Sequence, residues 1–90
     1  MRGVIDQWQS SRWLLPELER VLGRDHPKTF IIRSNIAYWT GQRGDLAGAL
    51  HLCKKLLRDE KRVLGRDDPK TQETLKIIRF LEWEIWFGNR

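Results

Sequence analysis

Three side chains in this sequence have the types that could do chemistry: His26, His51 and Cys53. A thiol beside an imidazole can act as a nucleophile, and paired histidines can hold a metal ion. The spacing supports neither. His51 and Cys53 stand two residues apart on a helical segment and so point to different faces. His26 lies in a loop, and no third group is placed to orient a Cys/His pair. Cys53 falls at an apolar position and reads as a small buried hydrophobe. A glycine-rich phosphate loop, paired histidines at metal spacing and a CxxC are all missing from the 90 residues. The expectation is a protein that is not an enzyme, with no catalytic residues, no metal and no cofactor.

The charge of +5 raises a second possibility, a nucleic-acid partner. The densest stretch, KKLLRDEKR at 54–62, carries five positive and two negative residues. Elsewhere the positive residues alternate with Asp and Glu, as in ELERV, which is the pattern of a solvated helix face. A basic nucleic-acid-binding helical protein is the alternative reading, and a protein partner is preferred. No apolar run is long enough to cross a membrane. A single cysteine excludes an internal disulfide and fits a reducing compartment, so the expected location is cytoplasmic.

The elements that carry these residues are announced by a repetition. RVLGRDHPKT at 20–29 returns as RVLGRDDPKT at 62–71, an offset of 42 residues. Glycine after a periodic apolar stretch closes a helix in the left-handed region. Proline three or four residues later starts the next one, because its missing amide would have no partner there. Asp68 before Pro69 can cap free N–H groups, and His26 before Pro27 does so less well. Each copy therefore reads as a stop, a short loop and a start.

Four helices follow. The first, about 4–22, keeps Val4, Trp8, Ser11, Leu15, Leu18 and Leu22 on one face, and Pro16 should kink or split it near residue 15. The second runs from Pro27 to about Thr40 and ends at the turn GQRGD. The third runs from Asp45, a good N-cap, to about Leu64, and the fourth covers about 69–87. Helices in short-turn succession with internal self-similarity predict an all-α superhelix of helical hairpins in a single domain over 1–90.

The stretch over about 14–75 resembles the 42-residue type of tetratricopeptide repeat found in kinesin light chains and bacterial multidomain regulators. The marks are the D-[HD]-P-x-T start, N-x-A-Y-W in the second helix, the G-x-x-G-D turn, the A-L pair in the third and the V-L-G exit. The resemblance implies a B helix (4–22), a complete repeat (27–64) and a terminal A-type helix (69–87). Arg79 stands where the pattern wants the small residue matching Ala37, and Ile77 replaces Asn35. The chain is either a piece of a longer array or a closed miniature, natural or designed.

The resemblance implies binding. In the family the A helices line a concave surface that takes a peptide or a partner helix. On that face it puts Ile31, Ser34, Asn35 and Tyr38, with Glu73, Lys76 and Phe80 adjoining from the last helix. Asn35 either grips a ligand or makes a buried bond between helices. Trp8 and Trp39 read as core. Phe80, Trp83 and Phe87 form one stripe of the last helix with no following helix to cover it, which points to self-association as a homodimer. The alternative is that this stripe folds back onto Trp8 and Trp13.

Overall fold

The computed structural model describes the backbone over residues 2–88 and the side chains over residues 12–88. Among them four helices follow one another: α1 (Arg2–Leu22), α2 (Pro27–Gln42), α3 (Leu46–Val63) and α4 (Pro69–Phe87). Each packs on its neighbour in chain order, α1 on α2, α2 on α3 and α3 on α4. The architecture is all-α, a ladder of antiparallel helical hairpins. Every pairing is local, as in a repeat array.

The repeated decapeptide builds the same junction twice. Gly23 and Gly65 both take φ of 92°, the left-handed conformation that turns the chain out of a helix. The next helix starts the same way each time. Asp68 accepts from the Lys70 amide at 2.9 Å, and His26 accepts from the Lys28 amide at 3.1 Å through Nδ1. The imidazole thus caps as the carboxylate does, at a slightly longer distance. Thr29 is fully buried and donates to the Gly23 carbonyl at 2.9 Å, locking the loop beneath α2. Its counterpart Thr71 is equally buried, but its hydroxyl meets no partner.

The third turn is different. Gly44 supplies the positive φ, and Asp45 caps α3 by accepting from the Gly48 amide at 2.9 Å. Small residues then let α2 and α3 come close. Ala37 and Ala49 are buried together with Cys53, and a Cβ on Gly41 would sit 3.5 Å from that of Ala49. Ile78 and Leu81 of α4 complete this cluster, so the core lies among the last three helices. Arg79, at the α4 position matching Ala37, is exposed.

The split expected at Pro16 needs correcting. Pro16 lies inside one continuous α1, which is not split at residue 15. Pro16 is exposed, so the hydrogen bond it cannot donate is lost on the side where water replaces it. Val4, Trp8 and Ser11, placed on the inner stripe by their spacing, lie outside the described side chains. Trp39 is half-buried rather than enclosed. Trp13 is 81 % exposed, and among the described residues α1 makes no backbone approach to α4, so the fold-back of the aromatic stripe does not occur there.

Two arginines tie the ladder together. Arg33 on α2 donates to Asp59 on α3 at 2.8 Å, with both side chains largely buried. Arg62 on α3 reaches back to Asp25 in the first junction at 2.8 and 3.0 Å, and also contacts Asp59 at 3.2 Å. The Arg62 bond holds the Asp25 carboxyl below its ordinary range. For Asp59 burial pushes upward, but the bonds from Arg33 and Arg62 outweigh it and the carboxyl is held low. Part of the basic stretch 54–62 is therefore spent on internal bonds.

Candidate functional site

α2 and α4 face each other across a concavity floored by α3. The positions along α2 are set by the helical period: Ser34, Asn35, Tyr38 and Gln42 line the concavity together with Gly41 and buried Ala37. α4 supplies Glu73, Ile77, Phe80 and Glu84 opposite them. The floor is apolar, made by Ala49, Cys53 and Leu56 of α3 with Leu81 of α4. The cavity measures about 570 Å³. A concave space of that size with an apolar floor and a few polar groups at the rim is the usual form of a binding site.

Beside it lies a smaller cavity of about 150 Å³. It shares Ser34, Asn35, Glu73, Thr74 and Ile77 with the first and adds Phe30, Ile31, Glu60 and Lys70. Of the seven residues the sequence puts on the concave face, Ser34, Asn35, Tyr38, Glu73 and Phe80 line the larger space and Ile31 the smaller. Lys76 is exposed and lines neither. Asn35 is exposed, and its side chain makes no hydrogen bond to the described residues, so it is not the buried link between helices that was the other option. Tyr38 projects from α2 with its ring edge-on to Trp39 at 4.8 Å.

Sequence reasoning matched Ile77 to Asn35 without putting it on the concave face, and it named neither Glu84 nor Glu60. Ile77 and Glu84 are one turn either side of Phe80, so the period could have found them. Glu60 could not be found that way, because it sits in the charged run 54–62 and is nevertheless only 3 % exposed. Burial pushes its carboxyl above the ordinary range. Burial does the same to the Cys53 thiol, with the charge of Glu60 adding to it, and the thiol stands at about 11. A protonated, enclosed thiol is a poor nucleophile. No group of three His, Cys, Asp or Glu side chains among the described residues could hold a metal ion.

The other two aromatics of the α4 stripe stand apart from the cavity. Trp83 and Phe87 contact each other at 5.8 Å between ring centres and are each more than half exposed, as is Phe80. Trp86 next to them is 74 % exposed. On the far side of α3, His51, Lys54, Lys55 and Arg58 form a shallow basic patch, in which Lys54 approaches Glu82 at 3.6 Å. None of the described helices is long and apolar enough to cross a membrane.

Comparison with known proteins adds one finding. No curated protein matches the chain. Residues 29–70 match the family model of the tetratricopeptide repeat. The match begins at buried Thr29, runs through α2, the Gly44 turn and α3, and ends just inside α4. Its span equals the 42-residue offset between the two decapeptides. Repeats of this family are non-catalytic and act in protein–protein interaction. Residues 29–70 are thus similar to a tetratricopeptide repeat, set within a succession of four helices among the described residues.

Proposed function

We propose that the chain is a protein-interaction module that takes a peptide or a partner helix in the groove between α2 and α4, and that it performs no catalysis. The observation that carries this reading is the cavity of about 570 Å³ between two A-type helices, with unpaired Asn35 and exposed Tyr38 at its rim. An amide with free donor and acceptor groups can bond an extended backbone, and a rigid aromatic supplies contact area at little entropic cost. In this reading Ile31, Ser34, Asn35, Tyr38, Glu73, Lys76 and Phe80 make up the contact surface. The helices group as a B helix at 4–22, a complete repeat at 27–64 and a terminal A helix at 69–87 within one domain. A single buried cysteine with no disulfide partner fits a cytoplasmic setting. The test is selection of peptides from a random display library, followed by titration of the best binder against the parent, Asn35→Ala and Tyr38→Ala. Weakened binding by both variants at unchanged melting temperature supports the groove, and unchanged affinity contradicts it.

A second reading, self-association as a homodimer, is favoured by the exposed Phe80, Trp83 and Phe87 with Trp86 beside them. Aromatics clustered this densely on a surface are uncommon unless something covers them. A two-fold pairing of α4 helices is the simplest closed arrangement. The basic patch on α3 gives less support to nucleic acid, because Lys54 within it and Arg62 on the same helix already face carboxylates.

A further inference from the structure

The smaller cavity holds a group that the fold does not use. Glu60 lines it at 3 % exposure, and its Oε1 has no hydrogen-bond partner. A buried carboxylate oxygen left unserved is costly, and native structures rarely keep one without a reason. The Thr74 hydroxyl is the one donor within reach of the carboxyl among the described residues, it is also within 3.1 Å of the Lys70 carbonyl, and it leaves Oε1 without a partner. The junction itself does not ask for an acid. Shifted back by the 42-residue offset, Glu60 falls on Leu18, a half-buried apolar residue of α1. Glu60 is thus an ionisable group placed where a leucine suffices, in a cavity that opens beside Ile31, Asn35, Glu73 and Ile77.

We infer that this cavity is a subsite for one cationic side chain, a lysine of the partner peptide, whose ammonium pairs with the Glu60 carboxylate. The inference rests on the groove being the binding surface. Lysine fits better than arginine on two counts. A space of about 150 Å³ admits one side chain and little else. A single free carboxylate oxygen satisfies a point charge, whereas a guanidinium fork wants two parallel acceptors. Ile31 and Ile77 flank the entrance and suit the four-carbon stem, and Glu73 adds a second negative charge at the mouth.

Charged groups face Glu60 from each packed element. Arg33 comes from α2, Lys70 and Glu73 from α4, and Asp68 from the α4 cap, while Cys53 is on the same helix. Arg33 is already committed to Asp59. Burial raises the Glu60 carboxyl, and only its ionised form pairs with an ammonium. Binding therefore strengthens as pH rises through the Glu60 titration, while the lysine ammonium stays charged until about pH 10.

The probe is N-acetyl-lysine-methylamide, with N-acetyl-norleucine-methylamide as its uncharged equal in shape. Both are titrated into the full chain and followed by amide and side-chain NMR shifts. The lysine compound is expected to give saturable shifts at Glu60, Thr74 and Ile77 that the norleucine compound lacks. Glu60→Gln should reduce its affinity at least tenfold, and the parent's affinity should fall as pH is lowered through the Glu60 titration. Equal shifts from both compounds, or an unaltered response in Glu60→Gln, overturn the inference. So does a silent titration in which Glu60→Gln moves the Lys70 side-chain resonance, because Lys70 is then the cation served. Failure here leaves peptide binding through Asn35 and Tyr38 standing, and that is measured separately with the selected peptides.

Discussion

Arg33 and Asp59 meet at 2.8 Å between α2 and α3, with their side chains only 10 % and 15 % exposed. They join the two helices of the matched repeat at the end opposite the Gly44 turn, so the hairpin is closed at both ends. Arg33→Met should cost about 2 kcal/mol, because it leaves a largely buried carboxylate with fewer donors. For a domain of this size that is a fall of roughly 10 °C in melting temperature, readable by circular dichroism.

The same pair gives a pH dependence. Asp59 is held low in the folded chain, so its contribution is fully present above the unfolded value of about 3.9. It is lost as pH falls through the still lower folded value. The stability gap between the parent and Asp59→Asn in urea titrations should therefore be widest near neutrality and shrink in acid. A gap that widens in acid contradicts the assignment.

Gly65 has φ of 92°, and a Cβ there would touch nothing within 4 Å. The cost of a side chain is thus backbone strain alone. Gly65→Val should destabilise by about 1–2 kcal/mol, and Gly65→Asn by less, since asparagine tolerates the left-handed region. Melting curves of the two variants check this order.

Cys53 is buried 4 % exposed in the α2–α3–α4 cluster, with its thiol raised to about 11. Its reaction with a disulfide reagent at pH 8 should be at least a hundredfold slower in the folded chain than in denaturant. A fast reaction in the folded chain places the thiol outside the core.

Light scattering at tens of micromolar tests the exposed aromatics of α4. The dimer reading expects twice the chain mass of 10.8 kDa, returning to 10.8 kDa in Trp83→Glu. A parent at 10.8 kDa contradicts it.

The helices and junctions were legible because their signals are local. Gly23, Gly65, Pro27 and Pro69 each act on their own backbone, and the repetition of ten residues fixed the register. Pro16 misled as to a split, because α1 runs through it, and the exposure that lets water stand in for the missing bond is a tertiary property. The concave positions of Ser34, Asn35 and Tyr38 followed from family pattern and helical period together. Glu60 stayed hidden: within KKLLRDEKR nothing local separates it from Asp59, and only the packing of α4 encloses one and leaves the other to two arginines. The distance from Arg62 back to Asp25, 37 residues along the chain, is likewise written in no local pattern.

The central claim, that partners are taken in the groove between α2 and α4, is tested most directly by an amide shift map of the chain with a display-selected peptide. The account predicts that shifts concentrate at Ser34, Asn35, Tyr38, Glu73 and Phe80 and spare the far face of α3. Shifts gathered at His51, Lys54, Lys55 and Arg58 with the groove silent would contradict it.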